Sequence, residues 1–324
     1  MGRMLSFTKA IREAQDIEMA RDPRVFICGE DVGVYGTAFG QTQGLLAKYG
    51  PMRVVDAPLS ETAITGLGVG AAAVGLRPII VHDFMDFMGV CMDEVLNQAT
   101  KLAWMVGGQT NLSMVIRTQA GSGIAAGAQH SQSLESFFTH MPGMKVVVPA
   151  TAGDMKGLLS SAIRDENPVM VVENKCLLSD EGEVPEGEYL VPIGKARVAR
   201  EGSDVTIVTY GLMVTKCLRA AEELEKSGIH CEIIDLRTLV PLDEEAIYAS
   251  LEKTNRLCIV HEAIVQCGFG AEIAARVAEN AMDYLDAPIV RVGAPFTYCP
   301  FSPALESQYT PDEKRVVDAV RGMF

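Results

Sequence analysis

No stretch of the 324-residue chain is apolar enough to cross a bilayer without meeting charge or a turn residue, which sets aside a helical membrane protein. The first residues, MGRMLSFTKAIREAQDIEMARD, mix acids with bases. They lack the apolar centre of a signal peptide and the acid-poor pattern of a transit peptide, so a soluble, cytoplasmic protein is expected. Gly2 and Ser6 stand where a myristoylation signal wants them, but no second anchor accompanies them, and one acyl chain holds a membrane only weakly. The eight cysteines, at 28, 91, 176, 217, 231, 258, 267 and 299, form no C-x-x-C and no Cys/His cluster. They read as reduced core thiols, not zinc ligands. Basic residues are scarce: 28 Lys and Arg stand against 42 Asp and Glu, for a formal net charge of −14. That balance disfavours nucleic acid and anionic membranes as partners. Phosphate-binding fingerprints are missing too. There is no G-x-G-x-x-G, no G-x-x-x-x-G-K-[ST], and no "GDG…N" run to hold Mg²⁺ and a pyrophosphate. A phosphate-bearing cofactor would need help from another chain.

What remains is a globular composition, 48% apolar and 22% charged, long enough for two domains with full cores. Val/Ile-rich runs alternate with helical patterns: RVFICGE, PIIVHDF, CMDEVLNQATKLAW, LSMVIRT, KVVVPA, AGDMKGLLSSAIRD, PVMVVEN. Continuous apolar runs separated by helices point to a parallel sheet covered on both faces. The stretch SDEGEVPEGEYLVPIGKARVAREGSD interrupts the rhythm with Gly, Pro and charge and reads as a linker with a strand or two. The alternation then restarts with DVTIVTYG, VTKCLRAAEELEKSG, HCEIIDLRTL, RLCIVHEA and FGAEIAARVAENAMDYL. Two doubly wound α/β domains are expected, residues 1–189 and 190–324.

Three polar sites stand out in apolar surroundings. Glu61 opens the small-residue run ETAITGLGVGAAAVG; it is either an acid stabilising a helix N-terminus or a buried working group. Phe84, which closes PIIVHDF, and Phe87 flank Asp86, at a strand's carboxyl end, where open parallel sheets bind ligands. Taken singly, each aromatic reads equally as core. The Gly/Ala-rich loop GSGIAAGAQHSQ presents His130, in a setting that suits a mobile acid/base better than a packed core residue. No acid adjoins His130, so Ser131 is a poor candidate for a triad nucleophile. GFGAE (268–272) is glycine-rich before a helix but carries none of the rest of a dinucleotide fingerprint.

These motifs, in this order, resemble the β-subunits of the thiamine-diphosphate-dependent first components of 2-oxo acid and acetoin dehydrogenase complexes. The matching segments include GED (29–31), DAPLSE (56–61), GLGVGAAAVGLRPI (66–79), LNQATKLAWMVGG (96–108), AQHSQSLESFFTHMPGMKVVVP (128–149) and DLRTLVPLD (235–243), spread over nearly the whole chain. The resemblance implies a pyrimidine-binding domain followed by a transketolase C-terminal-type domain. It makes Glu61 the carboxylate that hydrogen-bonds the cofactor's aminopyrimidine and so prepares proton removal from thiazolium C2. It makes Phe87 the ring that stacks on the aminopyrimidine, and His130 the proton-transfer group beside the substrate oxygen or the acyl group bound for lipoate.

The same resemblance implies a potassium ion held mainly by backbone carbonyls of Met114, Ala162, Ile163, Asp165 and Asn167. RDENP (164–168) otherwise reads as an ordinary turn. It further implies an α-subunit that carries the Mg²⁺-pyrophosphate motif, a heterotetramer of two α and two β chains, and docking to the subunit-binding module of a lipoyl acyltransferase core. That module is usually basic, and an acidic chain complements it. Gly-Ala-Gln-His-Ser-Gln resembles acetoin and pyruvate members more than branched-chain ones, which carry a tyrosine before the histidine. KCLLSDEGEVPEGEY (175–189) tilts the reading toward acetoin. A branched-chain 2-oxo acid dehydrogenase β-subunit, a non-catalytic docking subunit and a split transketolase-like enzyme are the alternatives.

Overall fold

The computed structural model describes residues 2–324. In chain order its elements begin with β1 (Arg3–Ser6), α1 (Phe7–Arg21), β2 (Val25–Glu30), α2 (Leu45–Tyr49), β3 (Val54–Ala57), α3 (Glu61–Ala73) and β4 (Arg77–His82). There follow α4 (Leu102–Met105), β5 (Val115–Ala120), α5 (Glu135–Thr139), β6 (Lys145–Val147), α6 (Ala152–Arg164), β7 (Val169–Asn174) and β8 (Glu181–Val184). Next come β9 (Arg197–Arg200), β10 (Val205–Thr209), α7 (Leu212–Glu225), β11 (Cys231–Asp235), β12 (Thr238–Val240) and α8 (Glu244–Thr254). The last elements are β13 (Leu257–Ile264), α9 (Phe269–Asn280), β14 (Val290–Ala294), α10 (Pro303–Tyr309) and α11 (Glu313–Arg321).

The chain forms two compact units. One runs to Ala120 and resumes over Phe137–Ile193; the other comprises Gly121–Ser136 and Gly194–Phe324. The crossing after Ile193 falls within the Gly/Pro-rich stretch, while the excursion over 121–136 departs from the single boundary expected between 189 and 190.

The first unit carries parallel strands in the order β6-β7-β5-β4-β2-β3. Every residue of β2, β4, β5 and β7 is buried, as a sheet covered on both faces requires. The small residues of α3 let that helix lie close on the sheet. A Cβ on Gly68 would stand 2.6 Å from Cγ1 of Ile80, a distance no side chain tolerates. Helix α6 starts at Thr151, whose hydroxyl accepts the Asp154 N–H at 3.1 Å, an N-cap bond. It is tied to α1 by the buried Glu18, which receives Arg164 at 2.7 Å. A helix expected over CMDEVLNQATKLAW is broken: 94–99 widens to a π-helix before the short α4. There the Thr100 hydroxyl donates back to the Leu96 carbonyl at 2.7 Å, a side-chain bond that competes with regular helix.

In the second unit the strand order is β14-β13-β10-β11-β9, with β9 antiparallel on the edge and the others parallel. Val205, Ile207, Met213, Leu224, Ile233 and Val316 form part of its core, each side chain contributing about 1.5–3 kcal/mol by burial. The structure gives GFGAE a packing role. A Cβ on Gly270 would meet the imidazole of His261 at 2.7 Å, so the glycine makes room for a fully buried histidine whose pKa burial lowers to about 4. No disulfide joins any of the eight cysteines among the described residues; six are buried and Cys267 is exposed. Among the described residues no helix is long and apolar enough to cross a membrane.

Candidate active site

Three carboxylates collect at the carboxyl ends of β2, β3 and β4. Glu30 is the last residue of β2, Glu61 opens α3 after β3, and Asp83 follows β4. Burial drives the Glu30 carboxyl up to about 7, with the negative charge of Glu61 next in weight and that of Asp83 after it; the Ser60 N–H opposes the shift. Asp83 is raised to about 6, again mainly by burial, against the Ala38 N–H and the positive Arg117. One carboxylate oxygen of each, Glu30 Oε1 and Asp83 Oδ1, is buried with no hydrogen-bond partner among the described residues. Below them His82 is buried and neutral, its pKa lowered to about 4 by desolvation, with Nε2 2.9 Å from the Thr65 hydroxyl.

Glu61 itself is half-buried. The N-cap Ser60 makes no side-chain capping bond; its hydroxyl turns to the Pro58 carbonyl. Phe87 and Glu61 lie on segments joined by one hydrogen bond. Phe87 lies in the short 3₁₀ turn Met85–Gly89, and the Thr62 hydroxyl donates to the Val90 carbonyl at 2.9 Å, fastening the start of α3 to the end of that turn. Phe87 meets Phe84 edge-on at 6.3 Å, and Phe84 meets Phe39 edge-on at 6.5 Å. The chain of edge contacts leaves Phe87 half-buried.

Beneath the carboxylates runs a buried polar network that sequence reasoning missed. Arg117 and Glu173 are fully buried and paired at 2.7 Å. Arg117 also donates to Gln15 at 2.8 Å, and Glu173 accepts from Gln41 at 2.7 Å. Glu30 was missed as well, though it stands in the GED segment. A lone acid closing an otherwise apolar strand was the available signal for it; isolated charges in VIRTQA and VMVVEN were the signal for the pair.

His130 belongs to the other unit, on the 121–136 segment. It is half-buried, its N–H directed to the Gly127 carbonyl at 3.4 Å. Next to it Ala128, Gln132, Ser133, Ile264, Tyr298 and Tyr309 line part of a cleft of about 340 Å³, a volume suited to a small ligand. Ser131 is buried.

Of the residues expected around a monovalent cation, the Met114 carbonyl accepts from Val169 N–H and the Ala162 carbonyl from Asp165 N–H. The carbonyls of Ile163 and Asp165 both accept from Nη1 of Arg77 at 3.0 Å. The Asn167 N–H and side-chain amide donate to the Asp165 carboxylate. Each carbonyl oxygen has a second lone pair, and a cation bound there would share the Ile163 and Asp165 oxygens with Arg77. Among the described residues no group of three or more His, Cys, Asp and Glu side chains could hold a metal ion.

This pairing of a parallel α/β unit with a second one of mixed edge is the two-domain transketolase architecture. Residues 3–180 match the family model "Transketolase, pyrimidine binding domain" and residues 194–316 match "Transketolase, C-terminal domain". A solved structure described as a split gene transketolase, an inactive β4 tetramer, superposes with a TM-score of 0.81 at 25% identity, covering 98% of each chain. The chain is 49% identical to the β-subunit of an acetoin:2,6-dichlorophenolindophenol oxidoreductase from Cupriavidus necator, covering 99% of this chain and 98% of that one. It is 44% identical to the pyruvate dehydrogenase E1 component β-subunit of Rickettsia felis, covering 98% and 97%. The chain belongs to the family of β-subunits of thiamine-diphosphate-dependent acetoin and pyruvate dehydrogenase first components. Membership implies thiamine diphosphate as cofactor and an α-subunit as partner.

Proposed function

We propose that this chain is the β-subunit of an acetoin-cleaving dehydrogenase component, with pyruvate as the second substrate to test. The observation that supports the cofactor reading is the carboxylate cluster at the strand ends, where Glu61 is backed by two buried acids whose free oxygens await N–H donors, with the half-exposed Phe87 on a turn tied to the start of α3; the similarity to an acetoin oxidoreductase β-subunit favours acetoin. An aminopyrimidine offers both the donors and the flat face. When bound, thiamine diphosphate supplies the nucleophilic carbon that cleaves the substrate's carbon–carbon bond. Glu61 hydrogen-bonds the ring nitrogen and trades a proton with it, a contact strengthened by low dielectric. Phe87 stacks on the ring, adding about 0.5–1.5 kcal/mol beyond burial. His130 moves a proton at the substrate oxygen. Glu30, neutral below about pH 7, keeps a proton beside Glu61.

The chain has no motif for Mg²⁺ and pyrophosphate, so the α-subunit holds them and this chain alone turns nothing over. The acyl or hydroxyalkyl unit passes to lipoyl groups of a cytoplasmic acyltransferase core, whose basic docking module meets this acidic subunit. The deciding experiment is reduction of a dye acceptor by the purified α/β assembly with thiamine diphosphate and Mg²⁺. Acetoin, pyruvate and 3-methyl-2-oxobutanoate are compared side by side, and acetoin is expected to lead by roughly tenfold in kcat/KM. A lead for pyruvate moves the chain to the pyruvate branch. No turnover by a cofactor-loaded assembly overturns the dehydrogenase reading in favour of a docking subunit.

We also propose a potassium ion at the Met114, Ala162, Ile163, Asp165 and Asn167 carbonyls. Ligand binding to the folded state stabilises it, so the unfolding temperature in KCl is expected to exceed that in choline chloride at equal ionic strength. Equal temperatures would leave Arg77 as the cluster's own cation.

The raised carboxyls set a pH dependence. Glu30 titrates near 4.5 when unfolded and about 7 when folded, so between those values the folded chain holds more protons than the unfolded one. Stability is therefore present below about pH 4.5 and is lost as pH rises through about 7. Asp83, raised to about 6, acts in the same sense. His82 and His261, lowered to about 4 by burial, act in the opposite sense below about pH 6.5, so urea midpoints of the free chain are expected to fall between pH 6.5 and pH 8, and Glu30→Gln to flatten that fall. An identical slope in the variant removes Glu30 from the account.

A further inference from the structure

We infer that Glu262 and Glu306 are positioning residues that clamp the loop bearing His130. Both are buried carboxylates, 8% and 4% exposed, and neither lies near the loop in sequence. Oε1 of Glu306 accepts the Gly123 N–H at 2.7 Å and Oε2 the Ala125 N–H at 2.8 Å. One carboxylate thus closes on two alternate backbone amides, a charge-assisted bidentate contact of the strong kind. Oε1 of Glu262 accepts both the N–H and the hydroxyl of Ser122, at 2.7 and 3.0 Å. The Ser122 hydroxyl also lies 2.5 Å from that of Thr310, the residue after α10. At the far side the Gly121 N–H meets the Gln132 carbonyl at 3.2 Å, closing the loop at its base, and the Tyr210 hydroxyl donates to the buried Glu135 at 2.8 Å.

The composition GSGIAAGAQ has no side chain able to fix its own shape, and Ala125 takes a left-handed φ of +56°, a conformation that costs a non-glycine residue energy and persists only where the surroundings impose it. Here the surroundings are two carboxylates that take three consecutive-to-alternate amide protons, those of Ser122, Gly123 and Ala125. A loop of small residues gains its order from β13 and α10 instead of from itself. His130 follows five residues later, so the clamp sets where its imidazole departs from the fold.

This assignment rests on the proposed role of His130 only for its catalytic consequence; the clamp itself is tested separately. Glu306→Gln keeps size but turns one acceptor into an amide NH₂ that faces an N–H donor. In the full chain, hydrogen exchange of a peptide covering 121–130 is expected to accelerate about tenfold or more in the variant, with the β5 and β10 peptides unchanged, since a lost bond opens only its local unit. Unchanged exchange over 121–130 overturns the clamp. In the α/β assembly, Glu306→Gln is expected to lower kcat about tenfold or more with KM little changed, and to cost less than about twofold when added to His130→Ala, because groups acting as one unit are not additive. An equal loss in both backgrounds overturns positioning through His130. Wild-type kcat in His130→Ala alone removes the histidine's role and leaves the exchange result to decide the clamp.

Discussion

Glu61→Gln lowers turnover of the α/β assembly by about 10²–10⁴-fold, the range for loss of a positioned proton-transfer group, while the unfolding midpoint stays near that of the wild type. The substitution is close to isosteric, and Glu61 is half-buried at the first position of α3, so packing changes little. What is lost is a group that can both accept and return a proton. A second readout needs no catalysis. The negative charge of Glu61 helps to raise Glu30, so in Glu61→Gln the Glu30 carboxyl titrates lower and the pH at which stability declines moves toward acid. Turnover within threefold of wild type would sink Glu61 as the working carboxylate. An unmoved pH profile would show that Glu30 and Glu61 do not sense each other.

Arg117→Leu has the largest expected effect on stability. The guanidinium and the Glu173 carboxylate are both fully buried, and removing one partner of such a pair strands the other's charge, at about 3–5 kcal/mol. For a domain of this size that corresponds to roughly 6–20 °C in unfolding temperature. Gln15 also loses its donor. Adding Glu173→Gln to Arg117→Leu is expected to recover part of the loss, because a neutral amide costs less to bury than an orphaned carboxylate. If the two substitutions simply add, the residues are not coupled and the account of the network fails. The site feels the change too: Arg117 holds Asp83 down, so Asp83 titrates higher in its absence.

The fold class could be read from the chain because strands buried on both faces announce themselves as unbroken apolar runs. VFICGE and PIIVHD became β2 and β4 nearly residue for residue. Glu61 was legible for a similar reason, as one acid opening a helix made of small apolar residues. Glu30 and Asp83 show in the sequence only as acids closing apolar runs; their burial is created by neighbours, since β2 becomes an interior strand only when β3 and β4 flank it. Arg117 and Glu173 lie 56 residues apart and meet because β5 and β7 are adjacent, with Gln119 opposite Glu173 in register. No local pattern encodes which strands will be adjacent. Nor does GSGIAAGAQ reveal that it leaves one unit for the other, since its anchors are carboxylates that arrive some 140 to 180 residues later.

That excursion bears on how the protein can be dissected. The chain passes between its two units after 120, after 136 and after 193, so neither is a contiguous module. A fragment begun at Gly194 would match the C-terminal family domain in sequence yet would lack the amides that Glu262 and Glu306 were buried to receive, and the Glu135 partner of Tyr210. Shuffling this half between relatives, or producing it alone, would carry two carboxylates stripped of those amides into the graft. A recombination that respects the fold must transplant 121–136 along with it.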